Sequence, residues 1–189
     1  MPLFRRPDPK HSLAIAMTGV NLGDRLLFVG CTDSTLLGAV GAKVGLSGQV
    51  YAIVPNEAEA ARAVRAAEKF GFLLELETGG LNRFPFDAGA FNLIVVDNQE
   101  GLLSGMRPEG RVGVLQQIHR TLAPRGRVVM IERAARGGLG ALLRPPSTPL
   151  VDPQYQSGGG AIGALQAEGF RAARLLAERD GLSFFEGVR

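Results

Sequence analysis

The sequence predicts an α/β domain built on a mostly parallel sheet, and three observations predict it. Strand-like and helix-like segments alternate through most of the 189 residues, which implies parallel strands joined by right-handed crossovers. The run Phe91-Asn92-Leu93-Ile94-Val95-Val96 is almost continuously apolar, as in a central strand covered on both faces. The last two strand-like segments are separated only by Asp180-Gly181, a turn that forces an antiparallel pair.

Each element follows from local chemistry. Asp24 and Arg25 lead into Leu26-Leu27-Phe28-Val29, a short strand stopped by Gly30. Residues 36–44 read as a helix closed by Gly45. Gln49-Val50-Tyr51-Ala52-Ile53-Val54 is a second strand, halted by Pro55. Asn56 caps an Ala-rich helix over 57–70, where Glu57 and Glu59 suit the positive end of the helix dipole, and Gly71 ends it. Residues 73–77 form a third strand, and the fourth is 91–96. Pro108 opens a helix in which Val114, Leu115, Ile118 and Leu122 share one face. Pro124-Arg125-Gly126 turns the chain into a fifth strand over 127–131. Helix 161–168, a stop at Gly169, and strands 171–177 and 182–188 complete the chain. One domain is expected over 1–189, with an N-terminal arm and helix over 1–21. The Gly/Pro-rich stretch 134–160 reads as a long loop, and loops of that length are often functional.

Composition removes several function classes. The formal charge of +3 is too mild for a nucleic-acid binder, and the cluster Arg5, Arg6, Lys10 and His11 is interrupted by Asp8. The sequence has no Trp and little Tyr for base stacking. No apolar run is long enough to cross a membrane, and the first residues lack the apolar core of a secretory signal. A single cysteine, Cys31, precludes an internal disulfide and suits a cytoplasmic setting. It reads as a buried loop residue, not a nucleophile. Two histidines, far apart and without cysteine neighbours, give no metal site. Gly158-Gly159-Gly160-Ala161-Ile162-Gly163 matches G-x-G-x-x-G, but it follows a Pro/Gln/Ser stretch instead of a strand, so the dinucleotide fingerprint lacks its context.

Four segments carry a resemblance. Leu26-Leu27-Phe28-Val29-Gly30-Cys31-Thr32-Asp33-Ser34 resembles the first motif of class I S-adenosylmethionine-dependent methyltransferases. Phe84-Pro85-Phe86, leading to Phe91-Asn92-Leu93-Ile94, is similar to their Leu-Pro-Phe turn and Phe-Asp-Leu strand opening. Residues 117–128, with Leu122-Ala123-Pro124-Arg125-Gly126, resemble the helix ending in Leu-x-Pro-Gly-Gly before their fifth strand. Glu168-Gly169-Phe170 matches the start of their closing hairpin. The resemblance spans the chain from about Leu22 onward. It implies a Rossmann-like sandwich whose seven strands run in the order 3-2-1-4-5-7-6, with the last strand antiparallel and helices on both faces.

The resemblance also implies a cofactor site across the carboxyl ends of strands one, two and four. It places cofactor contacts at Gly30, Cys31, Thr32 and Asp33, at Val54, Pro55 and Asn56, at Leu81 and Asn82, and at Asp97 and Asn98. Asp97 is the candidate catalytic residue, a general base with Asn98 as a hydrogen-bonding positioner. Simple turn formation after the strand accounts for the same two residues. Glu100 and Glu132 are weaker candidates.

The sequence departs from the family at three positions. Phe28 stands where the first motif carries an acid, Val54 at the ribose-binding acid, and Gly80 at the adenine-side acid. Each lost charged hydrogen bond forgoes about 1.5–3 kcal/mol, against about 8 kcal/mol for micromolar binding. Asp33 or Asn56 is the expected compensating group. Two functions therefore stay open. One is an S-adenosylmethionine-dependent methyltransferase acting on a small molecule. The other is a non-catalytic methyltransferase-like subunit that binds a protein partner.

Overall fold

A computed structural model of the chain describes residues 9–134 and 151–189. One sheet contains β1 (Arg25–Val29), β2 (Gln49–Val54), β3 (Leu74–Thr78), β4 (Phe91–Asp97), β5 (Leu122–Arg133), β6 (Arg171–Arg179) and β7 (Leu182–Val188). Their order across the sheet is β3-β2-β1-β4-β5-β7-β6. β1 to β5 pair in parallel, and β7 runs antiparallel to both β5 and β6, as the sequence predicts. The helices are α1 (Pro9–Thr18), α2 (Ser34–Val44), α3 (Glu57–Phe70), α4 (Pro108–Thr121), α5 (Pro153–Ser157) and α6 (Gly160–Ala167).

Side-chain alternation along the strands divides the core between the two faces of the sheet. Leu27 and Val29 of β1 join Ile94 and Val96 of β4 beneath α4 and α6. Leu26 and Phe28 point the other way, with Ala52, Val54 and Val95, beneath α2 and α3. Phe28 and Val54, two of the three departures from the motif, are thus fully buried in that second layer.

Helix starts have identifiable causes. The Asp33 carboxylate accepts the N–H groups of Thr35 and Leu36, so α2 begins two residues earlier than its apolar pattern indicates. Asn56 accepts the N–H of Glu59 at the start of α3, and Gly71, at φ +75°, closes that helix.

Two stretches differ from expectation. Pro124-Arg125-Gly126 does not separate a helix from a strand; it is absorbed into β5. Arg125 takes φ +65°, and the register jumps from Phe91↔Leu122 to Leu93↔Arg127, so the expected turn is a bulge in a longer strand. In the expected loop over 134–160, Asp152 accepts the N–H of Tyr155 and starts the short helix α5. The remainder of that loop, 135–150, and residues 1–8 of the expected arm lie outside the described residues.

After β1 the chain builds outward through β2 to β3, then returns to place β4 on the other side of β1. The carboxyl ends of β1 and β4 therefore flank the crevice where open α/β sheets bind ligands.

At the far side of the sheet, Glu186 of β7 is almost fully buried between two arginines. Arg127 approaches its carboxylate at 3.1 Å and Arg174 at 2.9 Å. Arg127 also donates to the carbonyls of Met17 and Thr18, which fastens the last turn of α1 to the sheet. Because Arg174 is largely exposed and Arg127 partly so, the penalty for losing Glu186 is moderated. Glu186→Ala is expected to cost about 1–3 kcal/mol in urea unfolding, with faster amide exchange in α1; unchanged exchange in α1 would disprove the fastening.

Candidate functional site

The turn after β1 is fixed from three directions. Gly30 takes φ +81°, and its N–H donates to the carbonyl of Ile53 at 2.9 Å. Asp97, at the end of β4, accepts the N–H of Asp33 at 2.8 Å. From α3, Glu59 Oε2 accepts the N–H of Cys31 at 2.6 Å, while Arg62 Nε donates to the Cys31 carbonyl at 3.0 Å. Both polar groups of Cys31 are thereby satisfied by side chains of α3.

The space above Gly30 is filled by the protein itself. A methyl group built on its Cα would lie 2.7 Å from Leu102 Cδ2, 3.2 Å from the Asp97 carbonyl and 3.8 Å from Glu59 Oε2. Leu102 is held there by Asn98, whose Oδ1 accepts the N–H groups of Leu103 (2.6 Å) and Ser104 (3.2 Å). An amide side chain behind β4 thus shapes the segment that covers the turn.

Asp97 is fully buried. Besides Asp33, it accepts from the backbone N–H of Gln99 (3.4 Å) and from Gln99 Nε2 (3.1 Å). Burial raises its pKa, and these hydrogen bonds offset only part of that rise. With its oxygens committed to internal donors and shut away from water, Asp97 braces the turn. Burial, then the nearby negative charges of Asp97 and Glu59, push the Cys31 thiol up to about 12. It is not a thiolate near neutral pH.

An open hollow of about 450 Å3 lies beyond Val54, lined by Pro55, Gly79, Gly80, Leu81, Asn82, Met106, Gly110 and Val114. Its volume is in the range of small-molecule sites. Of the residues that the resemblance assigns to a cofactor, Pro55, Leu81 and Asn82 reach this hollow. Gly30 and Cys31 are buried at the start of the turn, Thr32 and Asp33 are half-buried beyond them, Val54 is buried beneath, and Asp97 and Asn98 are buried behind it. Asp33 and Asn56, the expected compensating groups, cap α2 and α3 through their Oδ1 atoms.

From the sequence Glu59 reads only as a dipole-favouring residue of its helix, and Arg62 and Leu102 escape notice. Asn56-x-x-Glu59 has the spacing of a capping box, in which the glutamate reaches back to the cap residue. Here Asn56 does accept the Glu59 N–H, but the Glu59 carboxylate turns to Cys31 instead. No local signal announces that diversion.

A second, half-buried carboxyl stands at the same edge of the sheet. Glu132 Oε1 accepts from Asn98 Nδ2 at 2.6 Å and from the Tyr155 hydroxyl of α5. Burial raises the pKa of Glu132 despite these two donors. The cleft between α4 and α6, where Arg111 stacks on Tyr155 at 5.0 Å, is only about 170 Å3, below the usual ligand-site range. The Gly158–Gly163 segment enters α6 from α5 rather than from a strand, so it offers no dinucleotide loop. Among the described residues, no three of His, Cys, Asp and Glu converge on a metal position. No helix among them is long and apolar enough to cross a membrane.

The raised pKa of Glu132 has a consequence for stability. An acid whose folded pKa exceeds its unfolded value stabilises the fold fully below the unfolded value, near pH 4. That contribution is lost as pH rises through the folded value. Glu132→Gln retains an acceptor for Tyr155 and Asn98 and removes the titration. The wild type is expected to lose stability relative to this variant as pH rises from about 4 toward neutrality. Urea unfolding at several pH values checks this, and a difference independent of pH would contradict it.

No protein-family model and no curated protein matches the sequence. Solved structures do match its architecture. An S-adenosylmethionine-dependent methyltransferase from Aquifex aeolicus superposes with a TM-score of 0.72 at 20% identity, over 96% of this chain and 93% of that one. PigF, crystallised with S-adenosylhomocysteine, gives 0.64 at 18% identity over 95% of this chain and 56% of its own. The [4+2]-cyclase SpnF gives 0.66 at 17% identity over 95% and 79%. Such identities establish architecture: the chain has the class I S-adenosylmethionine-dependent methyltransferase fold.

Proposed function

We propose that this chain is a methyltransferase-fold protein that has given up S-adenosylmethionine and serves as a binding or assembly subunit. The observation that supports this is the covering of Gly30 by Leu102 and Glu59. In the family's site, the Gly-rich turn needs open space so that the cofactor's methionine part can approach the backbone. Here the Leu102 isobutyl group crowds that space, with the Glu59 carboxylate at its edge. The departures at Phe28, Val54 and Gly80 point the same way, because the side chains of Asp33 and Asn56 already serve as helix caps. The residues present therefore do not fit the cofactor. The partner in this reading is another protein. Leu22, Leu46 and Leu73, each exposed and each shortly before a parallel strand, offer apolar surface at the opposite edge of the sheet.

A second reading, a methyltransferase acting on a small molecule, is favoured by the hollow of about 450 Å3 at the crevice. Thermal denaturation with S-adenosylmethionine and S-adenosylhomocysteine separates the two. A ligand at a hundredfold excess over its Kd adds about 2.7 kcal/mol, worth roughly 2–4 °C per kcal/mol for a domain of this size. No rise in Tm is expected at millimolar concentrations of either compound. A saturable rise of several degrees would return the chain to the methyltransferases.

A further inference from the structure

We propose that Glu132 is a proton-operated catch on the segment 98–106 that covers Gly30. The inference goes beyond the reading above, because it concerns when the cover opens and not what the crevice binds.

The cover is gripped by a ring of contacts that closes through Glu132. Asn98 Oδ1 holds the N–H groups of Leu103 and Ser104, next to the Leu102 side chain over Gly30. The same amide gives its Nδ2 to Glu132 Oε1 at 2.6 Å, so the carboxyl sets the orientation of Asn98. Tyr155 of α5 donates to the same oxygen. From α5 the ring returns to the cover, because the Asp152 N–H donates to the Ser104 carbonyl at 2.7 Å. Arg111 of α4 stacks on Tyr155, lies 3.7 Å from Asp152 and donates to the Met106 carbonyl at 2.9 Å.

Both donors to Glu132 reach Oε1, and among the described residues none reaches Oε2. A proton on Oε2 therefore leaves the ring intact and removes a charge from a half-buried place. Once that proton passes to solvent, the carboxylate left behind is better served by water. Its two hydrogen bonds favour the charged form, but burial outweighs them and raises the pKa. By linkage the closed cover is favoured while Glu132 keeps its proton, and opening is favoured as pH rises toward the raised value. The neighbouring groups are otherwise engaged. Tyr155 stays a donor, since burial and the charge of Glu132 raise its own pKa. Arg111 faces Asp152, and Arg133 pairs with Glu100. From β7, Ser183 stands opposite Glu132 and gives its hydroxyl to Glu178 of β6. Asp97 shares the upward shift, also from burial, but its oxygens serve Asp33 and Gln99.

Amide exchange of Leu103 and Ser104, corrected for the intrinsic effect of pH on exchange, tests the catch on the full chain without cofactor. In the wild type, protection is expected to fall by up to about tenfold per pH unit above the ordinary glutamate value of about 4, then to level off beyond the raised value. The pH at which it levels should coincide with the midpoint of the Glu132 13Cδ resonance. Glu132→Gln should keep the protection and lose its pH dependence. Should that variant fail to fold, the coincidence within the wild type decides by itself. Protection that ignores pH, that follows the Asp97 carboxyl instead, or that keeps its pH dependence in Glu132→Gln overturns the proposal. No cofactor enters the experiment, so its outcome is separate from that of the S-adenosylmethionine titration.

Discussion

A carboxylate without access to water must find its hydrogen-bond donors inside the protein or give up its charge. Asp97 finds them in Asp33 and Gln99, and the crevice is arranged around that requirement. The Asp33 N–H is available only if the turn after β1 bends back toward β4, which Gly30 permits through its left-handed backbone. The same bend presents Asp33 to the first turn of α2 and Cys31 to α3. Beside Asp97, Asn98 curls the following segment so that Leu102 lies over Gly30. The rim of the sheet is thus a connected polar network with an apolar cap.

The fold was legible because it depends on patterns that a single sequence carries: apolar runs of strand length, helix stops at Gly45 and Gly71, and the two-residue turn at Asp180-Gly181. The antiparallel end of the sheet followed from that turn alone. The bulge around Arg125 was not legible, since Pro-Arg-Gly reads as a break unless the register of β4 is known. The short helix at Pro153–Ser157 was hidden within a Gly/Pro-rich composition.

The site was legible only as an outline. Pro55, Leu81 and Asn82 were identified through resemblance, and they do line the hollow. The departures at Phe28, Val54 and Gly80 were visible as missing acids, but what stood in their place was not. Glu59 and Leu102 arrive over Gly30 from α3 and from beyond β4, and sequence spacing does not report such meetings. A shared architecture leaves this freedom, because chemistry is decided by the side chains at the crevice and not by the order of strands. Methyltransferases and a [4+2]-cyclase superpose on this chain alike.

The lone thiol makes the molecule a convenient reporter of its own opening. Burial and the neighbouring carboxylates hold its pKa at about 12, so Cys31 stays a thiol at pH 8 while the turn is closed, and release of the turn removes both causes. Alkylating reagents therefore pass over the closed protein, and their uptake clocks the release of this turn. Any second cysteine placed on the surface can carry a dye or spin label against a silent background.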